Sequence, residues 1–258
     1  MNNLYYIDTH VHLNDEKILA HLDEVINDAL KANVKKMFIV GWDKESSIKA
    51  ITLAHEYDFC YAIIGFHPCN VKGLTCEDYE WLDNALNDEK VVALGEIGYD
   101  FHWDTTTKEE QDDAFIKQLD LAVKHKIPIA IHSRDAAQVT FDVLSKYNNL
   151  LVGGVLHSYS GSVEMAREYT KRGFLLGISG PLTFKNAKVN KEVVKEISLE
   201  YLVTETDSPY LTPHPYRGTE NGPKYIPLIL KEIASLKELD ETSVLDKVIA
   251  NVKRVFGV

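Results

Sequence analysis

The chain has 258 residues, of which 45% are hydrophobic and 26% charged, and its formal net charge is −11. This composition is typical of a globular protein and excludes a chain that is disordered over much of its length. The acidic balance also speaks against a protein that coats nucleic acid through a broad basic surface.

Three further features concern the cellular setting of the chain. No apolar run approaches the ~18 residues of a membrane span, so no membrane association is expected. The first basic residue is Lys17, which does not fit the charged start of a signal peptide. The cysteines are odd in number and form no CxxC pair; they are Cys60, Cys69 and Cys76. This pattern disfavours a disulfide framework and favours a reducing, cytoplasmic setting.

Eight short apolar runs alternate with amphipathic stretches along the chain. The runs are rich in β-branched and apolar residues, as are strands that are buried on both faces. They cover residues 4–9, 35–41, 60–66, 91–96, 127–132, 151–157, 174–179 and 201–206. A helical stretch after each run predicts parallel strands joined by crossover helices.

The helices are indicated by apolar residues that recur at helical spacing. One such stripe covers 18–29, and Asn33 after it is a candidate C-cap. Thr107 begins a capping-box pattern ahead of a second stripe at 115–123. A last stripe at 244–256 predicts a C-terminal helix that covers the outside or the bottom of the sheet.

The number of units points to a particular α/β architecture. Eight β/α units in about 250 residues match the number of units and the usual length of a (β/α)8 TIM barrel. No Pro/Gly/Ser-rich linker divides the chain, so a single domain over residues 1–258 is expected. A doubly wound open sheet is the structural alternative, but no GxGxxG or Walker pattern supports a nucleotide fold of that kind.

Two histidines mark the end of the first predicted strand. His10 and His12 are separated by one residue on an extended segment, so both side chains point to the same side. Such a pair suits two ligands of one metal ion. Taken alone, it is equally typical of a hydrogen-bonded pair in a loop.

Four other strands also end in a polar residue that their apolar runs do not require. These residues are Glu96, His132, His157 and Asp207, at the ends of the fourth, fifth, sixth and eighth strands. In a TIM barrel this end of the strands carries the active site. Four imidazoles and two carboxylates are enough to hold two divalent cations if one carboxylate bridges them.

Seven motifs, in this order, extend the pattern over the whole chain. They are IDTHVH at 7–12, GFHP at 65–68, GEIGYD at 95–100, IHSRDA at 131–136, HSYSG at 157–161, ETDSPYL at 205–211 and NVKRVF at 251–256. In these motifs the chain resembles the TatD family of metal-dependent hydrolases, within the amidohydrolase-like barrels. The resemblance implies a TIM barrel with two divalent ions and an exonuclease-type deoxyribonuclease activity.

The resemblance also implies which residues form the site. The metal ligands would be His10, His12, Glu96, His132, His157 and Asp207, with Glu96 as the bridge. Asp207 and Glu96 would be catalytic: Asp207 would take or hold the proton of the attacking water, and Glu96 would set the separation of the ions. These donors admit Zn, Mn, Co, Ni or Fe, and Mg less readily, since four imidazole nitrogens suit so hard an ion poorly.

Three residues are candidates for binding the substrate. His67, Arg134 and Arg217 are expected to contact phosphate; alternatively, His67 shapes a strand-end turn and Arg134 pairs with a surface carboxylate. The family loop usually reads RGKRNEP, whereas residues 217–223 read RGTENGP, so two basic positions are lost. The loop after Glu96 contains both aromatic and polar residues, in which an aromatic side chain could stack on a base or simply cover the rim; they are Tyr99, Asp100, His102 and Trp103.

The expected substrate is DNA, engaged at single-stranded ends, and no obligate protein partner is expected. A hydrolase of small amides, lactones or cyclic esters is the alternative, because the same activated water attacks a carbonyl and the acidic chain suits a small substrate. A barrel that only binds its ligand is the third hypothesis. The complete set of six candidate ligands argues against it.

Overall fold

The computed structural model describes residues 4–258, so the first three residues of the expected domain lie outside the described residues. In this part of the chain eight parallel strands pair in sequence order and form a nearly closed barrel, which confirms the (β/α)8 prediction. The strands are β1 Tyr6–Val11, β2 Val34–Val40, β3 Cys60–Ile64, β4 Val91–Asp100, β5 Ile129–Arg134, β6 Gly154–Leu156, β7 Leu175–Ile178 and β8 Leu202–Thr204.

Helices follow every strand, as the apolar stripes predict. They are α1 Glu16–Leu19, α2 Leu22–Lys31, α3 Lys44–Glu56, α4 Cys76–Ala85, α5 Lys108–His125, α6 Ala137–Lys146, α7 Val163–Lys171, α8 Lys188–Glu196, α9 Ile226–Lys237 and α10 Glu241–Phe256. Short 3-10 turns lie between some of them. Within residues 4–258, no helix is both long and apolar enough to cross a membrane.

Local capping sets where these helices begin and end. Thr107 caps α5 through the predicted capping box, in which its backbone N–H donates to Glu110 Oε2 at 2.7 Å. The stripe predicted at 18–29 is divided into α1 and α2, because His21 adopts a non-helical backbone. The C-cap of α2 is Ala32 rather than the predicted Asn33, which takes the left-handed φ of 63° one residue later.

The apolar core has two layers. An inner layer fills the barrel with strand residues such as Ile7, Phe38 and Val203. α10 belongs to this layer through Val252 and Phe256, and the Phe256 ring lies edge-on to Phe38 at 5.1 Å between centroids. The C-terminal helix therefore closes one end of the barrel interior. The other layer packs the strands against the surrounding helices.

Several strand boundaries differ from the predicted runs. β1 begins two residues later than predicted, and β4 extends to Asp100 because Asp100 pairs with Arg134 of β5. β6 has only three residues. The predicted run began at Leu151, whose N–H donates to Tyr147 at the end of α6, and Gly153 then takes a φ of 121°. The start of that run belongs to a turn.

The last and first strands, β8 and β1, meet directly under the predicted site, and hydrogen bonds between the two segments form a seam there. The Asp207 N–H donates to the His10 carbonyl at 2.9 Å, and the His12 N–H donates to the Ser208 carbonyl at 2.9 Å. Below these bonds the buried Asp8 carboxylate accepts a hydrogen bond from the Thr206 N–H at 2.9 Å. The seam thus fixes Asp207 beside the two histidines of β1.

Candidate active site

Five of the six predicted ligands face one another across the carboxyl ends of the strands. His12 Nε2 lies 3.3 Å from Asp207 Oδ1, and His10 Nε2 lies 3.5 Å from Glu96 Oε2. His157 Nε2 lies 3.6 Å from Asp207 Oδ1 and 3.8 Å from Glu96 Oε1. Imidazole nitrogens from β1 and from the end of β6 thus surround two carboxylates.

His132, the sixth predicted ligand, joins the same cluster from β5. Its Nδ1 lies 2.6 Å from Glu96 Oε1, and its Nε2 lies 2.9 Å from Asp100 Oδ2. The Asp100 carboxylate is buried and can only accept, so Nε2 carries a proton toward it. The Nδ1 atom is the one that faces the centre of the cluster.

Three histidines have an acceptor beside the outward ring nitrogen, with a hydrogen bond at His132 and His12 and a close carboxylate at His157. His12 Nδ1 lies 3.0 Å from the Val40 carbonyl, and His157 Nδ1 lies 3.0 Å from the fully buried Glu205 carboxylate. Such outer partners fix the tautomer and the ring orientation of metal-binding histidines. The inner nitrogens of His12, His132 and His157 are thereby aimed at Glu96 and Asp207.

His10 is the residue that tests whether a metal ion fits. It is fully buried, and neither ring nitrogen has a hydrogen-bond partner among residues 4–258. Burial lowers the pKa of His10, and the His157 ring stacked at 3.5 Å adds to this effect. A buried neutral imidazole without a partner is costly unless something binds it. Because its Nε2 faces Glu96, a divalent cation fits this position.

The electrostatics of the cluster point the same way. Burial by itself would raise the pKa of Glu96, but the surrounding histidines hold it well below its ordinary value. Burial would likewise raise the pKa of Asp207, but His157 and His12 hold it below its ordinary value. Burial opposes protonation of His157 and His132, yet the carboxylates raise their pKa values to about 10 and about 9. The carboxylates therefore stay ionised and hold positive charge beside them, which protons on the histidines supply when no metal ion is bound.

Among the described residues, four groups of three donors lie close enough together to hold a metal ion, and Glu96 belongs to two of them. His10, His12 and Glu96 offer ligand atoms that lie within 4.8 Å of one another. His67, Glu96 and His132 do the same. The other two groups are His10, His157 and Glu205, and His67, Cys69 and Asp100. The two oxygens of Glu96 face different histidines, His10 at Oε2 and His132 at Oε1, and this is the arrangement that a bridging carboxylate needs.

An open cavity of about 660 Å³ lies above the cluster. Its floor contains the candidate ligands except His10, and its walls carry the aromatic side chains Trp42, Trp103 and Tyr210. Arg134 also lines it, with its guanidinium carbon 5.5 Å from the Trp103 ring centroid. Trp42 follows β2 and lies edge-on to the His12 ring, which sequence reasoning missed.

His67 lies beside the cluster in the same cavity. Its Nδ1 accepts the Cys69 N–H at 3.1 Å, and its ring lies 4.4 Å from the His132 ring. Burial lowers the pKa of His67 to about 4, so the ring is neutral and its Nε2 carries the proton. The structure thus offers an N–H donor where the sequence predicts a phosphate contact.

Arg217 is not brought together with the other predicted substrate residues. It is exposed, lies 4.2 Å over the Phe184 ring and does not line the cavity. The altered loop 217–223 instead supports the end of β8, because Asn221 Nδ2 donates to the Thr206 and Tyr210 carbonyls. Glu220, at a position that is basic in the family, pairs with His21 at 2.7 Å.

Asp100 and Glu205 are site residues whose roles the sequence analysis missed. A signal for each exists in the strand pattern. Asp100 lies four residues after Glu96, and Glu205 lies two residues before Asp207, so on extended backbone each shares a side with a predicted ligand. Both are polar residues in buried segments.

Comparison with known proteins agrees with this geometry. A family profile described as TatD related DNase matches residues 7–257. The chain is 43% identical to the metal-dependent hydrolase YabD of Bacillus subtilis (strain 168), over 97% of this chain and 98% of that protein. It is 32% identical to a protein of Escherichia fergusonii named 3'-5' ssDNA/RNA exonuclease TatD, over 97% of this chain and 98% of that protein.

Solved structures give the same result. The crystal structure of YjjV, a TatD homologue from Escherichia coli K12, superposes with a TM-score of 0.93 at 27% identity, covering 98% of each chain. The profile match, the relatives and the fold agree over almost the full length of the chain. The chain therefore belongs to the TatD family of metal-dependent hydrolases.

Proposed function

We propose that the protein is a divalent-metal-dependent exonuclease that hydrolyses phosphodiester bonds at the end of a single nucleic-acid strand. The observation that carries this proposal is the position of the Glu96 carboxylate beneath an open cavity, with His10 Nε2 3.5 Å from Oε2 and with His132 Nδ1 at 2.6 Å and His157 Nε2 at 3.8 Å from Oε1. The relative named as a 3'-5' ssDNA/RNA exonuclease supports a nucleic-acid substrate. Amides, lactones and cyclic esters, the alternative from the sequence, are not favoured by these relatives.

The residues that would hold the ions are those predicted from the sequence. His10 and His12 would serve one ion, His132 and His157 the other, with Glu96 between them and Asp207 completing the set. A bound divalent cation supplies Lewis-acid polarisation of the phosphoryl oxygen and lowers the pKa of water. Nitrogen-rich donors favour Zn, Mn, Co or Ni over Mg.

The side chains of the chain would handle the proton and the phosphate. Asp207 is partly exposed to the cavity, and its lowered pKa keeps it ionised, so it can accept the proton of the attacking water. The His67 N–H would donate to a phosphate oxygen. Arg134, which forms no ion pair within the described residues, would add a positive charge at the rim.

The proposal predicts metal-dependent shortening of a labelled strand. Protein loaded with Mn²⁺ or Zn²⁺ should convert an end-labelled single-stranded oligonucleotide into a ladder of products one nucleotide apart. His132→Ala and His157→Ala should each lower the metal content per chain and reduce turnover by at least about tenfold. The reason is that loss of even an outer partner of a ligand costs about 10–100-fold. Elemental analysis and gel densitometry measure the two effects.

His55→Ala is the matched control, because His55 is an exposed histidine of α3 that pairs with Asp88 away from the cavity. It should keep both metal content and turnover. Circular dichroism checks that all variants retain the fold. Full metal content and activity in His132→Ala or His157→Ala would refute the assignment of that residue, and no ladder with any of the metals would refute the nuclease.

A further inference from the structure

Two exposed aromatic rings stand on opposite walls of the cavity. Trp103 follows β4 and is 55% exposed, and Tyr210 follows β8 and is 46% exposed. The strands pair in sequence order, so β4 and β8 lie on opposite sides of the barrel. Large aromatic surfaces are normally covered, and exposed ones beside a polar site often mark a contact with a ligand.

The surroundings of Trp103 join it to the candidate active site. The Asp100 carboxylate that holds His132 also accepts the backbone N–H of Trp103 at 3.1 Å. Arg134 lies over the ring at 5.5 Å, and His102 contacts it edge-on at 4.7 Å. The backbone that carries the indole is therefore held by the same carboxylate that orients a candidate metal ligand, and the ring itself lies between Arg134 and His102.

Tyr210 is less available than Trp103. Its hydroxyl donates to Asp15 at 3.1 Å, and Lys17 Nζ lies 5.0 Å from its ring centroid. Each ring thus has one cation beside it, and the two differ in exposed fraction and in the hydroxyl contact that ties Tyr210 to Asp15. Trp103 is the more exposed of the two rings and has a guanidinium beside it.

The charges of the cavity show why an aromatic platform is needed. Arg134 is the single lysine or arginine among the described residues that line it. Proteins that bind single strands usually combine a basic groove with aromatic stacking. With one arginine in the cavity and a net charge of −11, little phosphate neutralisation is available apart from the bound cations. Stacking on a base must then supply a larger share of the affinity.

We propose that Trp103 is a stacking platform for the base next to the scissile phosphate, and that it selects single-stranded nucleic acid. This inference rests on the proposed exonuclease function and names the substrate feature that the same site recognises. In a duplex both faces of a base are covered by its neighbours, so only an unpaired base can leave the stack and reach the indole. Arg134, beside the ring, would lie near the adjoining phosphate.

The test compares three substrates in metal-loaded protein. They are a single-stranded oligonucleotide, the same strand with an abasic residue at the end that is degraded, and methyl 4-nitrophenyl phosphate, which has no base. Trp103→Ala should lower kcat/KM at least about tenfold on the first substrate, within the range known for truncated base platforms. It should cause no further loss on the abasic strand and no loss on methyl 4-nitrophenyl phosphate. Trp103→Phe should recover most of the loss.

Phe101→Ala is the matched control, because Phe101 is a 40% exposed aromatic in the same loop that does not line the cavity. It should behave as the wild type on all three substrates. Unchanged kcat/KM on the oligonucleotide in Trp103→Ala would overturn the platform. An equal loss on methyl 4-nitrophenyl phosphate would also overturn it, since Trp103 would then act through the catalytic centre.

Binding separates this inference from the proposed function. Fluorescence anisotropy is measured on a labelled single strand whose terminal linkages cannot be hydrolysed. If wild-type protein cleaves none of the substrates but binds this strand, and Trp103→Ala weakens binding about tenfold, the exonuclease fails and the platform stands. If wild type and variant bind equally, or neither binds, the platform fails whatever the turnover shows.

Discussion

Three histidines of the site owe their orientation to acceptors that differ in kind. A backbone carbonyl holds His12, while the carboxylates of Asp100 and Glu205 lie against His132 and His157. A carboxylate behind an imidazole makes its inner nitrogen a stronger donor to a metal than a carbonyl does. The inner nitrogens of His132 and His157 are therefore stronger metal donors than the inner nitrogen of His12.

Asp207 allows a test of a single residue. Asp207→Asn keeps the shape of the side chain but removes the negative charge and the basicity needed to accept a proton. We expect kcat to fall by about 10²–10⁴-fold, the usual contribution of a general base, with a much smaller change in KM. Steady-state kinetics on the oligonucleotide measure both constants.

The control for Asp207 is Asp15→Asn, which removes a carboxylate of the same cavity that accepts from Tyr210 rather than from a candidate ligand. Its kcat should stay within about threefold of the wild type. A raised KM with unchanged kcat in Asp207→Asn would contradict the catalytic role.

Among the secondary-structure elements, the outer helices are linked by polar contacts that do not reach the site. Asp83 of α4 accepts from Lys124 at 2.6 Å and from His125 at 2.6 Å, both in the last turn of α5. Hydrogen bonds from His125 and Lys124 lower the pKa of Asp83 below its ordinary value. This contact joins two helices across the outer layer of the barrel.

The contact predicts a pH dependence of stability. Because the folded pKa of Asp83 is lowered, its contribution is complete above the unfolded pKa of about 4 and is lost as the pH falls through the folded pKa. Asp83→Asn should lower the free energy of unfolding by about 0.5–1 kcal/mol at pH 7, with the difference shrinking toward pH 3. Urea unfolding of both proteins at the two pH values measures it.

Asp113→Asn serves as the comparison for Asp83, because Asp113 pairs only with Lys117 of its own helix and is 62% exposed. It should cost less than about 0.5 kcal/mol at either pH. If the difference in free energy of unfolding between Asp83→Asn and wild type grew toward low pH, the pH dependence would have the wrong sign and would contradict the role given to Asp83.

The whole molecule combines an anionic surface with a site that would hold polyanions. The chain has 28 Lys and Arg residues against 39 Asp and Glu residues. Among the described residues that line the cavity, Arg134 is the single lysine or arginine. Arg217, one of the two arginines expected to help, does not line the cavity. Under the proposed function we therefore expect the protein to bind a short end of a strand rather than a long stretch of it.

Salt dependence tests this conclusion. Two or three neutralised phosphates, at roughly −0.7 each for a single strand, predict a slope of log K against log[salt] near about −2. Binding of a non-hydrolysable oligonucleotide across a monovalent salt series, at fixed metal concentration, gives the slope. A value steeper than about −5 would reveal an extended basic groove and would contradict the short footprint.

The architecture and the candidate donors could be predicted from the sequence because both depend on local patterns. Apolar runs predict buried parallel strands, and the polar residues at the ends of five of the eight runs mark the edge where such strands carry their site. Residues such as His132 and His157 therefore come together as expected. Strand limits were less accurate at β6, where a glycine turn after α6 interrupts the apolar run.

Only the tertiary structure decided what surrounds those donors. Glu205 behind His157, Arg134 over Trp103 and Arg217 over Phe184 are contacts between residues that are 48, 31 and 33 positions apart. Such contacts depend on strand register and on the paths of loops, which no periodicity in the sequence encodes. The sequence by itself determined the barrel and the six candidate donors, since strand burial and the common edge of parallel strands follow from local residue patterns. The tertiary structure decided which ring nitrogen of each histidine faces the carboxylates, and that Arg134 rather than Arg217 faces the cavity, because both depend on packing between distant segments.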